Sequence, residues 1–339
     1  MKFTDEKKRS VMLYILEKVA AGEESLSKVV SEACDINQNT VHTYIKQLLA
    51  DNIIQRKKRG IYELVTQEFV YTLNRTKGEI ESDTYAFDKY FKDHIKGLPQ
   101  NVFDIWAYTL SEMMNNVMDH SEAEEATLIV LQNYLYTSVF IKDNGIGIFK
   151  KIKEYFGYDS LDEAIAELFK GKLTTDAENH SGEGIFFSSK MVDEFFILSD
   201  GKIFTNNKYD MSATITYANE KFEPQGTMVY MSLSNFSNKN ILEVFDRYSN
   251  LDNGFDKTTI PLKNMFESAP VSRSHAKRVC NRLNEFREVV LDFEGLEWMG
   301  QGFAHQIFVV FQNAHPDIVL TPINMSDGVN KMYNHVVKG

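Results

Sequence analysis

The chain opens on apolar residues at helical spacing. Val11, Met12, Ile15, Leu16 and Val19 recur at intervals of three and four among charged neighbours, which predicts an amphipathic helix over residues 4–20, closed by Gly22. Ser25 or Ser27 can cap a second helix through Ala33. A third runs from about Asn39 to Ala50 with Val41, Ile45, Leu48 and Leu49 inward. The period then changes: "IIQRKKRGIYELV" reads as two short β-prone runs around a basic turn at Gly60. Residues 68–84 read as a connector. Helices near 85–97 and 101–120 precede the strands "ATLIVLQ" and "TSVFIKD". A helical stretch at 148–170, a polar, turn-rich segment at 171–183 and a helix over 184–193 follow. Four strands come next, "EFFILS", "GKIFTN", "MSATITYA" and "TMVYMSL". Residues 234–259 read as a helix within a linker. The last stretch alternates "IPLKNMF", a helix at 274–287, "VVLDF", a helix at 302–313, "DIVLTPI" and a helix at 326–337, which is the pattern of a small α/β domain.

At 339 residues the chain is too long for one ordinary domain, so a multidomain protein is expected. No apolar run approaches the length of a membrane span, and "MKFTDEKKRS" carries charge where a signal peptide needs an apolar stretch. Cys34 and Cys280 are the only cysteines, too few for a disulfide framework or a thiolate metal site. The reading is cytoplasmic, with no membrane. The net charge of −11 argues against nucleic-acid binding by bulk charge. Residues 1–75, however, carry a net +2, which sets the N-terminal segment apart.

Three helices followed by a basic hairpin resemble an α+β winged helix-turn-helix domain, covering residues 1–68. The resemblance implies that the third helix reads duplex DNA. Its outward Asn39, Thr40, Thr43 and Lys46, with Asn37, Gln38 and His42 beside them, can bond base edges or phosphates. Arg56, Lys57, Lys58 and Arg59 would form the wing and supply sequence-independent affinity for phosphate. The alternative is a solvated polar face on a module for dimerisation or protein contact.

The stretch "SEMMNNVMDHS" is an unusual helix, because Glu112, Asn116 and His120 fall at i, i+4 and i+8 on one stripe. "DNGIGI" (Asp143 to Ile148) ends a strand in a D-x-G-x-G turn, whose carboxylate can accept an exocyclic amine. In "HSGEGIFFSSKM", Gly182 and Gly184 precede an apolar helix start suited to phosphate. "QGTMVYMSL" sets Gly226 and Thr227 at the head of a strand. Each alone is weak. Together and in this order they resemble the GHKL superfamily of ATP-binding domains, and within it the anti-sigma serine kinases and histidine kinases, over residues 85–235. The resemblance implies a two-layer α/β (Bergerat) sandwich binding ATP and Mg²⁺. It makes Glu112 the general base and Asn116 the Mg²⁺ and phosphate ligand, with His120 facing phosphate. Asp143 would take the adenine amine, with Gly145 and Gly147 making room for the ring. Gly182 and Gly184 would border the phosphates beneath a mobile lid of residues 149–181. Thr227 would support Asp143 through its hydroxyl or a water. The sequence departs from the pattern in the short G-E-G box, where Glu183 adds negative charge that Lys172 and Lys190 could offset.

Residues 258–339 resemble a STAS-like domain. At the loop where STAS antagonists carry a phosphorylated hydroxyl, this chain has Gly300, Gln301 and Gly302, and no Ser, Thr or Tyr lies between His275 and Leu320. That loop therefore cannot be phosphorylated, and a docking or dimerisation module for a protein partner is expected, with a ligand-sensing role as the alternative. The whole reads as a regulator whose ATP state alters DNA or partner binding. The alternatives are a serine/threonine kinase acting on a separate protein, and an ATPase in a stress or defence response.

Overall fold

A computed structural model describes residues 5–82, 84–173, 175, 182–207, 211–250, 254–266 and 268–338. Helices α1 (Asp5–Ala20), α2 (Leu26–Cys34) and α3 (Gln38–Ala50) lead into an antiparallel hairpin of β1 (Ile54–Lys58) and β2 (Ile61–Leu64). The predicted apolar stripe closes this unit: Val11, Ile15, Leu16, Val19, Val30, Val41, Ile45 and Leu48 share one core. Asn37 caps α3 by accepting from the Asn39 N–H at 2.8 Å, a bond of the kind that contributes about 0.5–2 kcal/mol to helix stability.

β3 (Gln67–Asn74) follows directly, which corrects the expected connector at 68–84. It pairs antiparallel with β4 (Glu125–Gln132) from Gln67↔Gln132 to Asn74↔Glu125. Phe69, Tyr71 and Leu73 alternate toward a helical layer, so the period was two residues and not patternless. Between these strands lie a π-helical turn (Phe87–Phe91), α4 (Lys92–Ile95), α5 (Gln100–Asn115) and a second π-helical turn (Asn116–His120). β5 (Tyr136–Asp143), α6 (Ile148–Phe156), α7 (Leu161–Leu168), α8 (Gly184–Met191), β6 (Glu194–Ser199), β7 (Lys202–Thr205), α9 (Ser212–Lys221) and β8 (Thr227–Ser234) complete a six-stranded sheet. Its order is β3-β4-β5-β8-β6-β7, with every neighbouring pair antiparallel.

Successive sheet residues face opposite ways. Leu128, Val130, Val139, Ile141, Val229 and Met231 face the helical layer with Trp106, Leu110 and Phe187. Ile129, Phe140, Phe196, Met228 and Tyr230 face the other side. There α9 overturns the predicted strand "MSATITYA". Met211, Ile215, Ala218 and Phe222 lie three or four apart and pack on those aromatic residues, so tertiary burial outweighs the β propensity of Ile and Thr. The unit thus has a helix on each face of its sheet, where a two-layer sandwich was expected.

α10 (Ile241–Tyr248) packs its Phe245 on Tyr108 and Phe187, so residues 241–248 belong to the core and not to a linker. A short pair, β9 (Ser249–Asn250) and β10 (Gly254–Phe255), leads to β11 (Lys257–Pro261) and α11 (Leu262–Met265). The last unit contains α12 (Arg273–Cys280), β12 (Glu288–Asp292), α13 (Gln301–His305) and a π-helical run (Gln306–Phe311). α14 (Gln312–Ala314), β13 (Val319–Ile323) and α15 (Asp327–Lys338) follow. Its sheet is parallel in the order β11-β12-β13. α12 stops at Cys280, short of the expected helix to 287: Asn281 leaves the helical conformation with ψ of 133°, and Arg282 follows in a left-handed one with φ of 55°.

The last two units share one continuous core, from Leu73 to Val329. The N-terminal unit has its own core but receives Leu135, from the turn between β4 and β5, as a fully packed member. Burying one such side chain contributes about 1.5–3 kcal/mol. Among the described residues, no helix is long and apolar enough to cross a membrane.

Candidate functional site

A cavity of about 280 Å³ opens between α5, α6 and α8 and the ends of β5 and β8. Glu112, Asn116, His120, Asp143, Gly182, Gly184 and Thr227 all line it. The stripe of Glu112, Asn116 and His120 survives although α5 gives way to π-helical winding at Asn116. Such windings occur often at functional sites because they re-aim side chains within a helix.

Asp143 is 5 % exposed. Its Oδ1 accepts from the Gly145 N–H at 2.8 Å and the Thr227 N–H at 3.2 Å. Oδ2 accepts no hydrogen bond among the described residues, while the residue lines the cavity. Burial pushes its pKa above the ordinary carboxylate range, and the two N–H donors and Lys142 pull against that rise. The side chain is therefore pre-oriented, with one acceptor left for a ligand donor.

Thr227 supports Asp143 through its backbone N–H and not directly through its hydroxyl. Its Oγ1 instead accepts from the Ile148 N–H at 3.0 Å and ties the start of α6 to β8. Gly145 and Gly147, expected to make room for a ring, are not among the residues that line the cavity. A side chain at Gly145 would collide with the Ser121 carbonyl. At Gly147, whose φ is +86°, it would meet the Asp200 carboxylate. Both glycines permit close backbone approach beneath the site.

The first turn of α8 lies against Glu112, since a side chain at Gly184 would strike the Glu112 carboxylate. The N-cap residue Glu183 makes no side-chain capping bond. The N–H groups of that turn and the positive end of the helix thus lie beside an acid. Tyr108, one turn before Glu112, has its hydroxyl pKa raised, first by burial and then by the Glu112 and Glu183 charges. The His120 Nδ1 is 3.4 Å from the Thr175 Oγ1. Asn116 Nδ2 touches the Met113 sulfur at 3.8 Å.

Lys151 is a charged cavity residue that sequence reasoning missed. Its Nζ donates to the His120 carbonyl at 2.7 Å and lies 3.8 Å from Glu122. The available signal was its position three residues after Ile148, which also lines the cavity. The expected counter-charges lie elsewhere. Lys172 Nζ donates to the Glu285 carbonyl at 2.8 Å and rests over the Phe286 ring, although it still feels Glu183. Lys190 sits over Phe186, its pKa pushed down to about 8 by burial, with Asp292 opposing. Most of the segment expected to form a lid is helical and packed. Residues 148–168 are α6 and α7, with Phe149, Ile152, Ala164 and Leu168 in the core. Residues 174 and 176–181, including His180, lie outside the described residues.

In the N-terminal unit, Asn39, Thr43 and Lys46 are exposed on one side of α3, and Thr40 is half-buried. The Thr43 hydroxyl donates to the Asn39 carbonyl at 2.9 Å. Arg56, Lys57, Lys58 and Arg59 are all exposed on the hairpin next to it. Lys57 lies 3.5 Å from Glu63 and Lys58 3.8 Å from Glu24, both well solvated. Arg56 and Arg59 have no ion pair among the described residues.

In the C-terminal unit, Gly300 N–H donates to the Pro270 carbonyl at 2.9 Å, and a side chain at Gly300 would collide with the Val271 backbone. The tight approach leaves no room for a hydroxyl-bearing residue there. Residues 275–330 match the family described as a STAS-like domain of unknown function (DUF4325). This is a STAS-like domain. The match spans α12 through the first part of α15, so it speaks for the C-terminal unit alone. No curated protein matches the chain. The STAS-like domain is fused to the cavity-bearing unit through buried charge. Lys170 Nζ donates to Glu167 Oε1 at 2.8 Å, to the Arg278 carbonyl at 2.9 Å and to the Asn281 carbonyl at 2.7 Å.

Proposed function

We propose that the cavity is an ATP site of the GHKL type, and that the protein is an ATP-dependent regulator with an N-terminal winged helix. The observation that carries this reading is Asp143, held by two backbone N–H groups with one oxygen left in a cavity that also holds Glu112, Asn116 and His120. An adenine presents an exocyclic amine donor, and a fixed carboxylate oxygen is its natural acceptor. The N-terminal turn of α8 suits phosphate, and Lys151 adds a cation.

The residues also fit Mg²⁺. The cavity is lined by Glu112, Asp143 and Glu183 against Lys151, so a polyphosphate needs a further positive charge to enter. The Asn116 carboxamide would hold the ion without adding negative charge, leaving its other positions to waters and phosphates. Bound Mg²⁺ would neutralise charge on the phosphate oxygens. Glu112 then acts as general base, taking the proton of the attacking water as the bond from the γ-phosphorus to the bridging oxygen breaks and ADP leaves with the electron pair. A kinase reading replaces that water by a protein hydroxyl, using the same residues.

Support for DNA binding comes from the exposed Arg56 and Arg59 beside the polar face of α3. The STAS-like domain supports a reading as a protein-contact module and not as the kinase's own substrate, because Gly300 is packed against Val271. The test is nucleotide turnover by the purified chain. Glu112→Ala should keep ATP affinity while losing about 10²–10⁴-fold in rate, and Asn116→Ala should lose Mg²⁺-dependent affinity. Equal loss of affinity in both variants would contradict the assigned roles.

A further inference from the structure

The Glu167–Lys170–Arg282 cluster joins the STAS-like domain to the cavity wall. Lys170 is fully buried and Glu167 is 1 % exposed. A buried ammonium is costly unless all three of its protons are donated. Here they are, but two of the three acceptors, the Arg278 and Asn281 carbonyls at the end of α12, belong to the STAS-like domain. Glu167 is satisfied the same way, by Asn281 Nδ2 at 2.8 Å and Arg282 Nη1 at 3.2 Å. Separating the domains would keep the Lys170–Glu167 pair but remove two of the three Lys170 acceptors and the Asn281 and Arg282 donors to Glu167, so the pair's burial is matched to a closed contact.

The segment that follows Lys170 is part of the cavity. Gly171 and Leu173 line it. Arg282 Nη2 donates to the Lys172 carbonyl, the Lys170 carbonyl accepts from Thr258 Oγ1 at 2.8 Å, and Lys172 Nζ reaches the Glu285 carbonyl. Leu173 N–H in turn donates to the Gly182 carbonyl at 3.1 Å. Gly182, at φ +70°, is so close to Leu173 that no side chain fits between them. An unbroken series of direct contacts therefore runs from the STAS-like domain through residues 170–173 to Gly182, then to Gly184 against Glu112.

We propose that Glu167, Lys170 and Arg282 are positioning residues through which the STAS-like domain braces the Gly182–Gly184 turn on the phosphate side of the cavity. The STAS-like domain then completes the nucleotide site and is not a detachable docking module. The proposal rests on the ATP reading above. By reciprocity, whatever loads the joint at Arg282 is read as a change in phosphate affinity, and phosphate binding tightens the joint.

The test measures dissociation constants for ATP and for adenosine, which lacks phosphate, on the full chain and on Arg282→Ala. The variant should lose roughly 10-fold in ATP affinity with little change for adenosine, and Arg282→Lys, which keeps a cation for Glu167, should recover part of the loss. A general loss of structure would move both ligands alike. Thr258→Val serves if Arg282→Ala does not fold, since it cuts the bond to the Lys170 carbonyl without changing any charge, and it should shift the same ratio. An unchanged ATP-to-adenosine ratio in the folded variant overturns the brace while leaving the ATP reading intact. A wild-type chain that binds neither ligand overturns both.

Discussion

Replacing Asp143 by Asn separates recognition from folding. The two backbone donors, Gly145 N–H and Thr227 N–H, require an oxygen at the Oδ1 position. An Asn side chain must therefore turn its carbonyl toward them and its NH₂ into the cavity. That places a donor where the adenine amine needs an acceptor. Losing a hydrogen bond to a charged group costs about 1.5–3 kcal/mol, which is about 10- to 150-fold in the dissociation constant. Inosine triphosphate carries an oxygen in place of that amine, so the variant should bind it better than ATP and reverse the wild-type preference. Stability should move the other way. Burial raises the Asp143 pKa, so the ionised group costs folding free energy at neutral pH, a cost that vanishes only as pH falls and the carboxyl is protonated in both states. Asn removes that cost, and the variant's Tm should not fall. Isothermal titration with both nucleotides and a thermal melt suffice. A folded variant that binds ATP as tightly as the wild type, with unchanged preference over inosine triphosphate, refutes the assignment of Asp143.

The same acid sets a pH dependence. With adenosine as the probe, affinity should hold at neutral pH and drop about tenfold per unit below the Asp143 pKa, starting above the ordinary value of 3.8 because burial has raised it. A flat profile for wild type, or the same fall in Asp143→Asn, would sink the idea. For DNA, replacing Arg56, Lys57, Lys58 and Arg59 by Ala should flatten the salt slope of duplex binding by roughly 0.9 per lost phosphate contact. The arginine pair should cost more than the lysine pair, whose charges already face Glu63 and Glu24. Anisotropy titrations at several salt concentrations would show it, and identical isotherms for wild type and the fourfold variant would leave the N-terminal unit as a protein-contact module.

Much of the fold was legible because its elements carry local periodicity. α1 and α3 announced their buried faces at intervals of three and four, and β4 and β5 announced theirs by alternation. The failures have physical causes. β3 was missed because an edge strand beside helices mixes Glu68 and Thr72 with Phe69, Tyr71 and Leu73, which weakens the apolar signal. α9 was misread because Ile215 and Tyr217 favour strands locally, while a sheet face lined by Phe140, Phe196 and Tyr230 rewards helical spacing.

The site divides along the same line. That Glu112, Asn116 and His120 would face one cavity was readable because one helical run presents them together, and that Asp143 would join them because a turn needing close backbone approach marks it with glycines. What those glycines do was not readable, since Ser121 and Asp200 come near them only in the folded chain. Lys170 and Arg282 left no trace for a stronger reason. They stand more than a hundred residues apart in sequence, one at the end of a helix on the cavity wall and one in a left-handed turn that follows α12. Read singly, each is an ordinary surface charge. Only when the end of α12 brings its carbonyls to the Lys170 ammonium does burial become affordable. A polar group that folding must satisfy from a distant segment carries no local period, so the joint that positions the cavity wall is the part of the site that sequence patterning cannot express.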